Sequence, residues 1–186
     1  LVEDELLQAI APQLHLILAD ITHLQLSMDE CEKQLARLLK KDAVAERLDE
    51  VSGIGILTAS AFMTTVVQPE RFRNGRMLSA WLGMTPRENS SGNKRKLGSI
   101  SRQGNTYVRM LLIHGARSAL LAAKRRATTA PDKLTALQRW ANACSDRIGF
   151  NKATVALANK MVRICWAVWC HERRFNGNFQ LTIKTS

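Results

Sequence analysis

At 186 residues, 46% of them hydrophobic, the chain is long enough to bury a core in one or two domains. No run of eighteen apolar residues occurs, which excludes a membrane-spanning helix. The net charge of +11 is unevenly spread. Residues 1–50 carry eleven acids against five bases, and residues 51–69 carry neither. Residues 70–127 then carry thirteen bases against two acids, and residues 128–186 nine against three. So dense a basic middle raises the local potential toward polyanions, of which nucleic acid is the commonest; a merely solvated basic surface is the alternative.

The chain starts "LVEDELLQAI", with neither the basic flank nor the cleavage pattern of a signal peptide. Its lack of an initial methionine suggests a fragment or an alternative start. Leu7, Ile10, Leu14, Ile17, Ile21, Leu24, Met28, Cys31, Leu35 and Leu38 then follow at alternating steps of three and four. This a/d seam, sustained over more than four heptads, predicts a helical rod about 50 Å long that must cover its stripe. No second heptad run appears, so a coiled-coil homo-oligomer is expected, with packing onto the chain's own helices as the alternative. Pro12 is expected either to kink the rod or to mark its true start.

In "LDEVSGIGILTASAFMTTV", residues 48–66, Gly53-Ile54-Gly55 predict a tight turn between a short helix and a second one. Glycines there let backbone N–H groups at a helix N-terminus approach an anion, in the manner of a helix-hairpin-helix phosphate contact. A purely structural hairpin fits the residues equally well. Met77–Met84 predict a short helix ended by Gly83 and Pro86. Residues 87–105 predict a loop rich in glycine, asparagine, serine and bases, with short β pieces around 97–100.

Asn105 is placed to cap a helix from Thr106. Tyr107, Met110, Leu111, Ile113 and Leu121 are expected to form its core face, with Arg109, Arg117 and Lys124 on its basic surface. Helices are predicted at about 133–145 and 151–173, with Trp166 and Trp169 as core anchors and a frayed tail from Asn176. Cys31, Cys144, Cys165 and Cys170 lack zinc-site spacing, which predicts reduced, mostly buried thiols in a cytosol. The fold class is all-α: a coiled-coil oligomerisation helix over 1–45, a compact helical domain of five or six helices over 46–175, and the tail 176–186.

The blocks "VSGIG…TA", "FRNGRMLSAWLGMTP", "SSGNKRKLGSISRQGNTYVRMLLIHGARS" and "NKATVALANKMVRICWA" closely resemble the C-terminal half of DEDD-type insertion-sequence transposases. These are relatives of the Piv DNA invertase and include the bridge-RNA-guided recombinases. The resemblance covers residues 48–172, and an acidic coiled coil ahead of it fits that layout. From the residues alone Ser90-Ser91-Gly92 reads as a flexible loop. The resemblance implies instead that a serine of the Ser-Gly pair attacks a DNA phosphodiester and carries a 5′-phosphoserine link. Ser91 is the better match and Ser90 the fallback.

A hydroxyl nucleophile stores the cleaved bond as an ester that can be rejoined without outside energy. Gly92 would relieve crowding where a phosphate comes close. Lys94, Arg95 and Lys96, with Arg87 and Arg102, would offset charge on the phosphoryl oxygens. The candidate nucleic-acid contacts are therefore Gly53, Gly55, Arg87, Gly92, Lys94, Arg95, Lys96, Arg102, Asn105, Arg109 and Arg117. His114 can contact phosphate from the basic face or sit plainly on the helix surface, and no His/Asp pair is spaced for a triad with Ser91.

The resemblance further implies a bacterial cytoplasmic transposase or site-specific recombinase whose partner is DNA. In guided relatives base pairing to RNA selects the target; whether this member uses a guide RNA is open. Intact members carry an N-terminal RuvC-like domain whose four acids bind divalent metal, expected as Mg. The residues from Leu1 onward do not resemble that domain, so no cofactor is expected on this chain. Alone, the chain is expected to bind DNA or RNA yet cleave poorly. Two other readings stand beside this one: a non-catalytic nucleic-acid-binding dimer, and an assembly module.

Overall fold

The computed structural model describes residues 2–88 and 97–178. The chain divides into two units, residues 1–41 and 42–186. In the first, a single helix, α1, runs Val2–Leu39. It begins well before Pro12 and continues through it, so the proline neither starts nor ends the rod. One missing N–H removes only a single rung of the ladder in a helix of 38 residues. The heptad positions Ile10, Leu14, Ile17, Ile21, Leu24 and Met28 are all between 45% and 63% exposed.

Among the described residues of the second unit the regular structure is helical except for one small hairpin, so the chain is essentially all-α. Its order is α2 (Ala43–Asp49), α3 (Ile56–Val66), α4 (Gly75–Trp81), β1 (Pro86–Glu88), β2 (Leu97–Ile100), α5 (Thr106–Thr129), α6 (Ala136–Ile148) and α7 (Phe150–Cys170). Local side chains set the helix starts. The Asp42 carboxylate accepts from the Val44 and Ala45 amides at 2.8 and 3.1 Å, and Asn74 does the same for Arg76 and Met77. Thr135 and Gln138 form a reciprocal capping box at α6. Between α6 and α7, Gly149 at φ +84° makes a turn that a side chain would strain.

Helices α5 and α7 pack against each other, with α3 against α5, α4 against α7 and α6 against both. Leu48, Val51, Phe62, Leu78, Leu82, Leu112, Leu120, Met161 and Val162 are fully buried, each large aliphatic contributing about 1.5–3 kcal/mol of transfer free energy. Trp166 and Trp169 pack against this core, as expected. The Trp166 indole N–H donates to the Pro69 carbonyl at 3.0 Å, and Trp169 tilts against Phe62 with centroids 6.2 Å apart.

Three expectations need correction. The buried face of α5 is Val108, Leu112, Ala116, Leu120 and Ala123, whereas Tyr107, Met110 and Leu121 are 42–49% exposed. The reason is register: the face that turns inward carries Leu112 and Leu120 with the smaller Val108, Ala116 and Ala123 alongside them, and Ile113 only flanks it. The tail is docked as far as Asn178. The Gly177 carbonyl accepts from Leu137 N at 3.0 Å, the Asn178 side chain accepts from Ala136 N, and Arg174 pairs with Glu46 and Glu50. The four free thiols are also less uniformly hidden than expected: Cys144 and Cys165 are buried, Cys170 is half-buried and Cys31 is exposed. Burial pushes the Cys165 thiol up to about 12.

Candidate nucleic-acid interface

The β1–β2 hairpin frames the stretch that holds the sequence-predicted nucleophile. Its strands pair antiparallel, Pro86 opposite Ile100 and Glu88 opposite Leu97, with an irregularity between. Residues 89–96 join them, so Ser90, Ser91, Gly92, Lys94, Arg95 and Lys96 lie outside the described residues.

The foot of the hairpin is described in detail. Ser101 N donates to the Thr85 carbonyl at 2.8 Å, and Arg102 N to the Gly83 carbonyl at 3.1 Å. The Asn159 amide reaches across from α7 to the Met84 carbonyl at 2.9 Å. Two glycines make the crossing possible. Gly83 at φ +71° and Gly104 at φ +83° sit so close to the opposing chain that a Cβ on either would fall on a backbone oxygen, that of Gln103 or Trp81. Arg102 itself is held at φ +59°, a costly setting for a side-chain residue, with its side chain exposed.

Arg109 is the largest departure from the sequence reading. It is 7% exposed rather than on the basic surface. Its guanidinium donates to the Leu82 carbonyl at 3.2 Å, the Gln103 carbonyl at 3.0 Å and the Thr106 hydroxyl at 3.2 Å. A buried cation held this way ties α5 to both sides of the hairpin foot, and its charge is turned into the fold rather than toward a phosphate outside. Asn105 caps α5 as expected, accepting from Val108 N, while its amide donates to Thr65 on α3. Both ends of that side chain are committed to the fold.

Other cations are partly withdrawn too. Lys124 pairs with Asp146 at 3.4 Å. Lys160 sits 4.1 Å over the Trp140 ring, and burial, followed by the nearby Arg163 charge, lowers its pKa. Arg87 donates to the Ser101 carbonyl at 3.1 Å but stays exposed. Arg102 and Arg117 are exposed as expected, and so are Arg71, Arg73, Arg76, Arg125 and Arg126, which individual motif reading passed over. Their signal was the charge count of residues 70–127, not any spacing.

The glycine turn ahead of α3 is the second part of the candidate interface. Val51 N donates to the Leu48 carbonyl and Ile54 N to the Val51 carbonyl, closing the turn, with Gly53 at φ +89°. Gly53 meets Gly115 in the middle of α5, and a Cβ on Gly53 would lie 2.5 Å from the Gly115 carbonyl oxygen. Packing therefore accounts for Gly53. Gly55 differs: it caps α3 without a side-chain bond, and a Cβ there would meet nothing within 4 Å. It opens on a hollow of about 410 Å³ lined by Ile54, Thr58, Leu111, His114 and Ser118 with the two turn glycines and Gly115. His114 and Arg117, both exposed, are one turn apart on α5.

Residues 45–130, from α2 through α5, match the family described as transposase IS116/IS110/IS902. Over this stretch the chain is similar to the transposase domain of that family. A probable family 20 transposase of Pseudomonas aeruginosa is 38% identical over 168 residues, covering 90% of this chain and 46% of that protein. The transposase for insertion sequence element IS1111A of Coxiella burnetii is 37% identical over 149 residues, covering 80% of this chain and 39% of its own length. That for element IS1328 of Yersinia enterocolitica is 33% identical over 141 residues, with 76% and 40% covered. The chain thus spans less than half the length of these curated relatives. The match to the transposase family runs through both the glycine turn and the hairpin.

Proposed function

We propose that this chain is the part of an insertion-sequence transposase that holds DNA and rejoins cut strands through Ser91. The observation that carries the reading is the coincidence of two independent features. The stretch matched to the transposase family, 45–130, contains both the Ser91-Gly92 pair and the segment of thirteen bases against two acids.

In the proposed step the Ser91 hydroxyl oxygen attacks a DNA phosphorus and gives up its proton to a base. The bond from phosphorus to the 3′ oxygen breaks, that oxygen takes a proton, and a 5′-phosphoserine ester remains. Attack by a 3′-hydroxyl on the ester reverses the sequence and rejoins the strand. Lys94, Arg95 and Lys96 supply the cationic setting for the crowded phosphoryl oxygens, with Arg87 and Arg102 at the hairpin strands. Gly55 and the open end of α3 accept a backbone phosphate, in the helix-hairpin-helix manner, with Arg117 alongside. Ser90 is the fallback nucleophile.

Among the described residues no three His, Cys, Asp or Glu side chains gather as a metal site. No step proposed here passes through a divalent ion. A RuvC-like partner domain would supply that chemistry, and cleavage by this chain alone would be poor. A guide RNA would occupy the same basic surface as DNA. The exposed α1 seam supports a coiled-coil homo-oligomer, which the assembly reading shares. Among the described residues no helix is long and apolar enough to cross a membrane.

Binding of duplex DNA measured against salt tests this reading. Each phosphate contact steepens the log–log slope by about −0.9, so three or more contacts give a slope beyond about −2.7. A flat dependence would leave the charge as mere solvation and favour the assembly module.

A further inference from the structure

We infer that Trp81 is a stacking platform for an unpaired base, so that the hairpin foot takes single-stranded nucleic acid. The inference rests on the nucleic-acid reading above and adds a single-strand subsite to it. It starts from an exposed aromatic that packing does not explain. Trp81 is 45% exposed. The other three tryptophans are half-buried: Trp140 lies beneath the Lys160 ammonium, Trp166 donates to the Pro69 carbonyl, and Trp169 leans on Phe62.

The Trp81 ring is nevertheless well fixed. Phe72 backs it with centroids 5.4 Å apart at 55°. Its carbonyl lies where a Cβ on Gly104 would fall, which pins its backbone to the hairpin foot. A ring so held has little rotamer freedom to lose on binding. Exposed cations adjoin it along the chain: Arg71 and Arg73 flank Phe72, which backs the ring, and Arg102 bonds through its backbone N–H to the Gly83 carbonyl two residues on. Basic side chains around an exposed aromatic face are the combination that holds single strands, the cations tracking phosphates and the ring stacking on a base.

A duplex hides its base faces in its own stack, so an indole can reach only a base that is unpaired or turned out. Strand cutting and exchange leave such bases beside the cut. Trp81 would hold one at the base of the hairpin that carries the proposed nucleophile. A protein partner is the competing occupant. It would use the same ring together with Met77, one turn back and 50% exposed, and would have no need of the arginines.

The test uses the full chain with oligo(dT) and a duplex of equal length. Oligo(dT) should quench the tryptophan emission of the wild type, and Trp81→Phe should abolish the quench while keeping most of the affinity. Trp81→Leu keeps apolar bulk against Phe72 but loses the π-face, and should weaken oligo(dT) binding about ten-fold with duplex affinity changed less than two-fold. A thermal melt of each variant reports the fold separately. Quenching that survives in Trp81→Phe would overturn the proposal, as would equal affinity of wild type and Trp81→Leu for oligo(dT). Loss of both ligands in a variant that melts normally would do the same. Failure of the wild type to bind either nucleic acid would instead sink the broader reading, and this one with it.

Discussion

Adding one methyl group at Gly115 sets two measurable effects against each other. In the interior of α5, alanine is favoured over glycine by about 0.5–1 kcal/mol, because glycine loses more backbone freedom on folding. Against that, the new Cβ would land on the Gly53 carbonyl oxygen. Both groups belong to the main chain, so no side-chain rotation can relieve the clash, and α5 must move away from the turn. Overpacking of this kind costs about 1–3 kcal/mol, and the rigid backbone on both sides places it near the top of that range.

The net expectation for Gly115→Ala is a loss of about 2 kcal/mol, or a fall in melting temperature of about 4–8 °C for a chain this size. Gly55→Ala is the control, since its Cβ meets open space. It should cost under about 1 kcal/mol as a poorer helix cap, yet weaken duplex binding by putting a methyl group into the hollow. Circular dichroism melts and anisotropy titrations measure both. A Gly115→Ala protein as stable as the parent would refute the reasoning, because the helix gain would then fully offset the clash.

Four further outcomes follow from the same structure. Arg109→Met should destabilise the fold by about 1–3 kcal/mol, because the Leu82 and Gln103 carbonyls lose their buried donor; unchanged stability in urea would return Arg109 to the surface. Arg117→Ala should leave the melt unchanged and make the salt slope of duplex binding shallower by about 0.9. Cys165, whose thiol burial raises from 9.0 to about 12, should resist alkylation in the folded protein while exposed Cys31 reacts. The folded state keeps that proton longer than the unfolded one, so this contribution to stability is full below pH 9 and lost as pH rises toward about 12. Mass spectrometry of labelled peptides and melts at rising pH check the two halves. Ile17→Asp combined with Leu24→Asp should lower the oligomer mass in light scattering, and an unchanged mass would remove the coiled-coil proposal.

What the sequence made legible was mostly local. The Asn105 cap, the glycine turn at 53–55, the short helix ending near Gly83 and a β piece at 97–100 all depend on neighbours within a few residues. Two long helices were read at 133–145 and 151–173 and lie at Ala136–Ile148 and Phe150–Cys170. The misses depend on partners far along the chain. Arg109 is buried because the hairpin foot brings two carbonyls to it, one 27 residues away, and no local pattern signals that. The core face of α5 was assigned around Tyr107, Met110 and Leu121, but the approach of Gly53 to Gly115 sets the rotation of the helix and turns Leu112, Ala116 and Leu120 inward. Gly115, a glycine inside a helical pattern, was the available clue. The Gly177 and Asn178 contacts to α6 join residues 40 or more positions apart, so the tail looked free.

The proposed chemistry of Ser91 is tested most directly in a protein that joins this chain to the proposed RuvC-like domain, incubated with insertion-sequence ends and digested for peptide mass spectrometry. The account predicts a nucleotide-bearing peptide containing Ser91, absent from Ser91→Ala. An adduct that persists in Ser91→Ala, or one mapped outside residues 89–96, would contradict it.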